Sequence, residues 1–251
     1  MTALNQSDAR AVAAGAPAVV RLFEPAAATY ALGRRAQDPT RCGELARAVA
    51  AVGRDPITIV EVDRGGLGTL HAPGQIVAFF AVPCPRWGAR QLCDEILSGI
   101  QELAHRNGRP ATADLASDVG VWLDGGKLAS LGLRLEDGVA RHGVALNVGV
   151  DPALAAGLPL CGKTNVFMAN LRDGGRPSPL DLRAIARQIA AIWHLGRRAG
   201  AGKKSAERAP QPETPRTLPH KAPTRVASAC VPEVALLTST VEGRPSASRA
   251  P

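Results

Sequence analysis

No stretch of this 251-residue chain approaches the roughly eighteen to twenty consecutive apolar residues that a membrane-spanning helix requires. Residues 1–16 are short, polar and alanine-rich, without the charged flank and apolar run of a secretory leader, so a cytoplasmic protein without a membrane partner is expected. The five cysteines, Cys42, Cys84, Cys93, Cys161 and Cys230, form no C-x-x-C pair and no Cys/His ligand spacing. Their odd number fits a reducing compartment, and neither a metal site nor a disulfide framework is indicated. The glycine-rich stretch 64–75 carries neither of the nucleotide fingerprints G-x-G-x-x-G and G-x-x-x-x-G-K-[ST]. Aromatic residues are absent from Arg197 onward, where ten Lys or Arg stand against four Asp or Glu and eight of the twenty prolines lie. Such a segment cannot bury enough apolar surface to offset its ordering entropy, so residues 197–251 read as a basic, Pro-rich, disordered tail. The short run Val234-Ala235-Leu236-Leu237 is too brief to alter that reading. The tail carries +6 of the net charge of +8, which leaves +2 on residues 1–196. Without rings to stack bases between its charges, it is not a dedicated nucleic-acid-binding segment.

What is present is organised around Arg64-Gly65-Gly66-Leu67-Gly68-Thr69-Leu70-His71-Ala72-Pro73-Gly74-Gln75. The alternating β-branched residues of 56–62 predict a strand before it, and the apolar run 76–82 predicts a strand after it. The expectation is a long strand-loop-strand hairpin whose glycines let a ligand approach the backbone closely. Further along, residues 44–52 and 180–195 predict helices, and Trp87 to Gly108 predicts a helix closed by Asn107-Gly108-Arg109-Pro110. Residues 120–123, 127–133 and 144–148 predict strands, with turns at Asp124-Gly125-Gly126 and Glu136-Asp137-Gly138. Strands in the middle flanked by helices give an α+β or mixed α/β class with one layer of helices. Residues 1–196 form the folded domain in this reading.

Candidate chemistry lies in the same middle region. Cys161 stands between Pro159 and Gly162 on a turn, where reactive groups are often displayed, although cysteine is also a common small core residue. Lys127 opens an apolar strand; a lysine held beside a thiol favours the thiolate. His71 and His142 both adjoin glycine-containing turns and are candidates for orienting a substrate, with a purely structural role as the alternative.

Taken together, Arg64-Gly65-Gly66-x-x-Thr69-x-His71-x-Pro73-Gly74-Gln75, Gly120-Val121-Trp122 with Lys127-Leu128-Ala129-Ser130-Leu131-Gly132, His142-Gly143-Val144-Ala145-Leu146-Asn147-Val148 and Cys161-Gly162 resemble the lipoyl(octanoyl) transferases in content, order and spacing. Tyr30-Ala31-Leu32-Gly33-Arg34-Arg35 is similar to an earlier segment of that family, and the resemblance covers about residues 18–195. It implies a biotin/lipoate protein ligase-like sheet flanked by helices. It implies an acyltransferase of lipoate biosynthesis that moves an octanoyl group from octanoyl-acyl carrier protein to a lysine of lipoyl domains of 2-oxoacid dehydrogenases and related acceptors. Cys161 would carry the acyl group as a thioester and Lys127 would assist it. Arg64, Gly65, Gly66, Leu67, Gly68, Thr69, Leu70 and His71, with Ser130, Leu131, Gly132, Gly143, Val144 and Ala145, would line the acyl site. No cofactor is implied, since the donor is already a thioester. The alternatives are an ATP-dependent lipoate-protein ligase, which has no use for the cysteine, and a non-catalytic homologue that binds acyl or lipoyl-domain partners. The chain departs from the family pattern at Leu70, Ala72, Arg141 and Lys163, where an aromatic, a glycine, a polar or aromatic residue and an apolar residue are usual.

Overall fold

Alternation of side chains along strands explains most of the architecture. A computed structural model describes residues 1–51, 57–84, 88–160, 166–200 and 233–236. The large sheet contains β1 (Val19–Phe23), β5 (Gln75–Pro83), β6 (Thr112–Asp114), β7 (Gly120–Leu123), β8 (Gly126–Glu136), β9 (Val139–Asn147) and β10 (Glu233–Leu236). Its order is β10-β1-β5-β9-β8-β7-β6. The small sheet has β2 (Thr29–Leu32) at its centre, with β3 (Thr58–Glu61) and β4 (Gly68–His71) on either side.

This corrects the expected hairpin around the glycine motif. β3 and β5 belong to different sheets, and β4 forms inside the presumed loop, where it pairs with β2. Four glycines in eleven residues concealed a strand only four residues long. The run at 233–236 is likewise a strand, parallel to β1, and the last helix continues past residue 196 to Gly200. The rest of the expected tail lies outside the described residues.

One face of the large sheet takes α3 (Ala89–Arg106) and α4 (Pro179–Gly200), burying Ala78, Phe80, Val82, Val144 and Leu146 against Ile96, Ile100, Ile185 and Ile189. The opposite face takes α1 (Thr2–Ala13) at one end, through Ala9 and Val12 on Ala81 and Val139. The expectation of a single helical layer therefore fails: helices cover both faces. Among the described residues no helix is long and apolar enough to cross a membrane.

The small sheet separates two environments. Tyr30, Leu32 and Leu70 face a second core with Leu45 and Val49 of α2 (Pro39–Ala51) and with Leu158 and Leu160. Ala31, Thr69 and His71 point the other way, toward the large sheet. Tyr30 is fully buried and its hydroxyl donates to the Pro159 carbonyl. Room for its ring exists because position 68 lacks a side chain: a Cβ there would stand 1.9 Å from the Tyr30 oxygen. Gly68→Ala is expected to lower stability by about 1–3 kcal/mol through overpacking. Tyr30→Phe is expected to cost about 1–3 kcal/mol by leaving a buried carbonyl unpaired. Urea unfolding of both variants checks these values.

Candidate active site

Between the two sheets lies a cleft of about 470 Å³. Val77, Phe79, Ser130, Gly132, Gly143 and Ala145 form its large-sheet side; Ala31, Val60, Val62, Thr69 and His71 form the other; Met1 and Thr2 reach it from the start of α1. Small residues on β8 and β9 leave the space. Gly143 is obligatory, because a Cβ there would lie 1.9 Å from the Ala78 carbonyl oxygen.

Thr69 and Ser130 line both the cleft and a small void of about 10 Å³, with Lys127 on the void's wall. Lys127, second in β8, is only 3% exposed. Its Nζ lies 3.3 Å from Asp118 Oδ1 and 4.9 Å from the centre of the Trp122 ring. Position 120 must be glycine for this arrangement, since a Cβ there would stand 2.5 Å from the Ala129 carbonyl oxygen and 2.6 Å from Lys127 Cε. The lysine backbone is held as firmly. Its N–H donates to the Phe167 carbonyl (2.8 Å), and its carbonyl accepts from Asn147 Nδ2 (3.0 Å). The Asn147 oxygen accepts in turn from Gln75 Nε2 (2.8 Å), which also donates to the Leu70 carbonyl. Gln75 and Asn147 stand in the sequence motifs but were not among the candidate site residues. Gly120 and Trp122 likewise stand in a motif without having been candidates, and Asp118 stands in none; only pairing of β7 with β8 brings the two motif residues to Lys127.

Arg64 reaches into the cleft wall and folds back on its own loop. Its guanidinium donates to the carbonyls of Ala31 (2.8 Å), Gly65 (2.8 Å) and Leu67 (3.1 Å) and to Thr69 Oγ1 (2.8 Å). Gly132 makes room for the arginine, a Cβ there lying 2.8 Å from its Cδ. Of the other expected lining residues, Thr69, His71, Ser130, Leu131, Gly132, Gly143, Val144 and Ala145 line the cleft. Gly65, Gly66 and Leu67 lie outside it, and the Gly65 N–H is taken by the Leu133 carbonyl. Gly68 and Leu70 line only the small void. Cys161 lies outside the described residues. Its neighbour Leu160 lines the void together with Lys127.

Two histidines meet the cleft. Burial, and then the charge of Arg64, hold the His71 imidazole down to about 4, against a hydrogen bond with Gln75 that raises it. Its buried Nδ1 has no hydrogen-bond partner among the described residues. His142 is also lowered by burial, although its bond to Asp63 pulls upward. Its Nε2 lies 2.6 Å from Asp63 Oδ1. Asp63 also binds the buried Arg141 guanidinium, which reaches Glu136 Oε2 at 2.8 Å. Burial raises the Asp63 carboxyl, but the bonds from Arg141 and His142 leave it below its ordinary value. The unusual arginine at 141 is thus matched by two carboxylates.

The two sheets and the cleft between them define a lipoate-protein-ligase-like α+β domain. The fold matches a bi-partite lipoate protein ligase of Thermoplasma acidophilum with a TM-score of 0.53 over 76% of this chain and 79% of that one, at 16% identity. Residues 2–186 match the model of the lipoyl protein ligase A/B catalytic domain, and the chain belongs to this family. An octanoyltransferase of Pseudomonas putida is 41% identical over 127 residues, half of this chain and 59% of that protein. One of Chromobacterium violaceum is 32% identical over 155 residues, 61% of this chain and 72% of that protein. The chain thus spans under two thirds of the former relative's length.

Two outcomes are expected. Gly120→Ala crowds both the Lys127 side chain and the Ala129 carbonyl, so it is expected to lower any lysine-dependent activity and also the urea midpoint. His71, neutral when folded with a pKa of about 4 against about 6.5 when unfolded, binds its proton more readily in the unfolded chain. Its contribution is present above pH about 6.5 and is lost as pH falls toward about 4. Urea midpoints of wild type should therefore decline across that window more steeply than those of His71→Asn.

Proposed function

We infer that the domain transfers an octanoyl group from octanoyl-acyl carrier protein, through a thioester on Cys161, to a lysine of a lipoyl domain. The observation that carries this reading is the cleft itself. It is apolar along Val60, Val62, Val77, Phe79 and Ala145, polar at Thr69 and Ser130, and continued past these two by a void with Lys127 on its wall. An acyl thioester has the same polarity, an alkyl chain ending in a carbonyl. Leu160 and Phe167 both adjoin Lys127, and they flank the segment that holds Cys161. A residue joined to Leu160 has its Cα about 3.8 Å from that of Leu160. The octanoyltransferase relatives support octanoyl transfer as the reaction.

In this mechanism the Lys127 ammonium favours the Cys161 thiolate, which attacks the donor carbonyl. The carbonyl–sulfur bond to the carrier breaks, and the departing thiolate takes a proton from Lys127. The acceptor lysine, as its free amine, then attacks the Cys161 thioester. An amide forms, the Cys161 thiolate leaves, and the amine's surplus proton returns to Lys127. One thioester replaces another in the first half, so no ATP is consumed, and conversion to an amide drives the second. The domain is expected in the cytoplasm, where carrier and acceptor would meet it.

The test is intact-protein mass spectrometry after mixing the protein with octanoyl-acyl carrier protein, without ATP or acceptor. An octanoyl adduct mapping to Cys161 is expected. It should be absent in Cys161→Ser and form about 10²-fold or more slowly in Lys127→Ala, within the usual contribution of a positioned proton-transfer group. An adduct that forms only with ATP and free octanoate would replace this reading with that of a ligase.

A further inference from the structure

One wall of the cleft, three strand residues from the level of Ser130, depends on a break in the large sheet. Phe80 of β5 and His142 of β9 are paired residues. Their facing groups are nevertheless bonded to a side chain: Asn5 of α1 donates from Nδ2 to the Phe80 carbonyl (2.8 Å) and accepts at Oδ1 from the His142 N–H (2.9 Å). Asn5 is 1% exposed, so its carboxamide stands in for a rung of the ladder deep inside the protein.

His142 has a φ of 64°, a left-handed backbone rare outside glycine. Successive residues of a regular strand point to opposite faces. Here Arg141 and His142 both reach Asp63, so the break has turned His142 toward the cleft. Its ring meets Phe79 edge-on at 5.7 Å, and Phe79 meets Phe23 in the same way at 5.0 Å. All three rings line the cleft.

The wall stands at a telling distance. Ser130, beside the void at the Lys127 end, pairs with Ala145, and His142 pairs with Leu133. Three residues of strand separate the two levels, about 10 Å at about 3.3 Å per residue. The seven C–C bonds of an octanoyl chain, at about 1.5 Å each, span at most about 10 Å. We propose that Asn5 is a positioning residue for acyl-chain length: by replacing the Phe80–His142 rung it holds His142 against Phe79 as the end stop of an eight-carbon site. The proposal rests on the acyltransferase reading and adds to it the residue that sets the substrate's length.

The experiment compares octanoyl- and dodecanoyl-acyl carrier protein as donors, by initial rate of adduct formation, in wild type, Asn5→Ala and His142→Gly. Glycine accepts the left-handed backbone and removes the ring. Wild type is expected to favour octanoyl by about 10-fold or more, within the range a few methylenes supply in an apolar pocket. Both variants should bring the two rates to near parity by gaining on dodecanoyl. An unchanged ratio in His142→Gly, or in folded Asn5→Ala, overturns the proposal. If Asn5→Ala does not fold, the Asn5→Ala/His142→Gly double variant decides. Recovered folding with relaxed length preference supports Asn5 as the holder of His142, and continued failure overturns it. Calorimetric binding of octanoate and dodecanoate to the same proteins separates the two readings. Length discrimination in binding, relaxed in the variants but without any adduct on wild type, sinks the transferase mechanism and keeps the end stop. No discrimination in binding or transfer sinks the end stop alone.

Discussion

The amide pair Gln75–Asn147 is the contact on which the rest of the site depends. Gln75 begins β5 and Asn147 ends β9, and both are buried. Through Gln75 the pair holds the end of β4, and through Asn147 it holds the backbone of Lys127 on β8. One line of hydrogen bonds therefore joins the small sheet to three positions on the large one. Buried amides are costly unless satisfied, so these side chains permit few arrangements other than this one. Lys127 is placed by its backbone before Asp118 and Trp122 set the direction of its side chain.

Charge is distributed around the cleft with the same economy. Arg64 donates to three carbonyls and the Thr69 hydroxyl of the wall it stands in, so its donors are occupied by neighbouring groups. Arg141, fully buried, meets Asp63 and Glu136. A buried cation with two carboxylate partners is weak evidence for stability but a strong constraint on geometry, because removal of either partner leaves charge uncompensated. Here the constraint fixes the neighbouring residue, His142, which shares Asp63.

Elements with a long period were legible in the sequence, and short ones were not. The helix of Leu92, Ile96, Ile100 and Leu103, and the turns at Asp124-Gly125 and Asp137-Gly138, stand close to where patterning and turn chemistry put them. β4 was missed because four residues among glycines offer no period, and β6 because three residues offer none. The glycines serve a further purpose. Their packing role was not visible: Gly68, Gly120 and Gly132 yield space to Tyr30, Lys127 and Arg64. Which large side chain a glycine serves is a tertiary fact, and no local pattern carries it. Asn5 was invisible for the same reason, since its partners lie 75 and 137 residues away.

The partition made by the small sheet has an evolutionary consequence. Along β4 the side chains alternate, Gly68 and Leu70 toward the second core, Thr69 and His71 toward the cleft. Substitutions at 69 and 71, and at Ala31 and Val60 beside them, alter what the cleft accepts without passing through the packing around Tyr30. Selectivity and foldedness are thus written on opposite sides of the same four-residue ribbon. A lineage can vary the cleft on one side while the other is held constant.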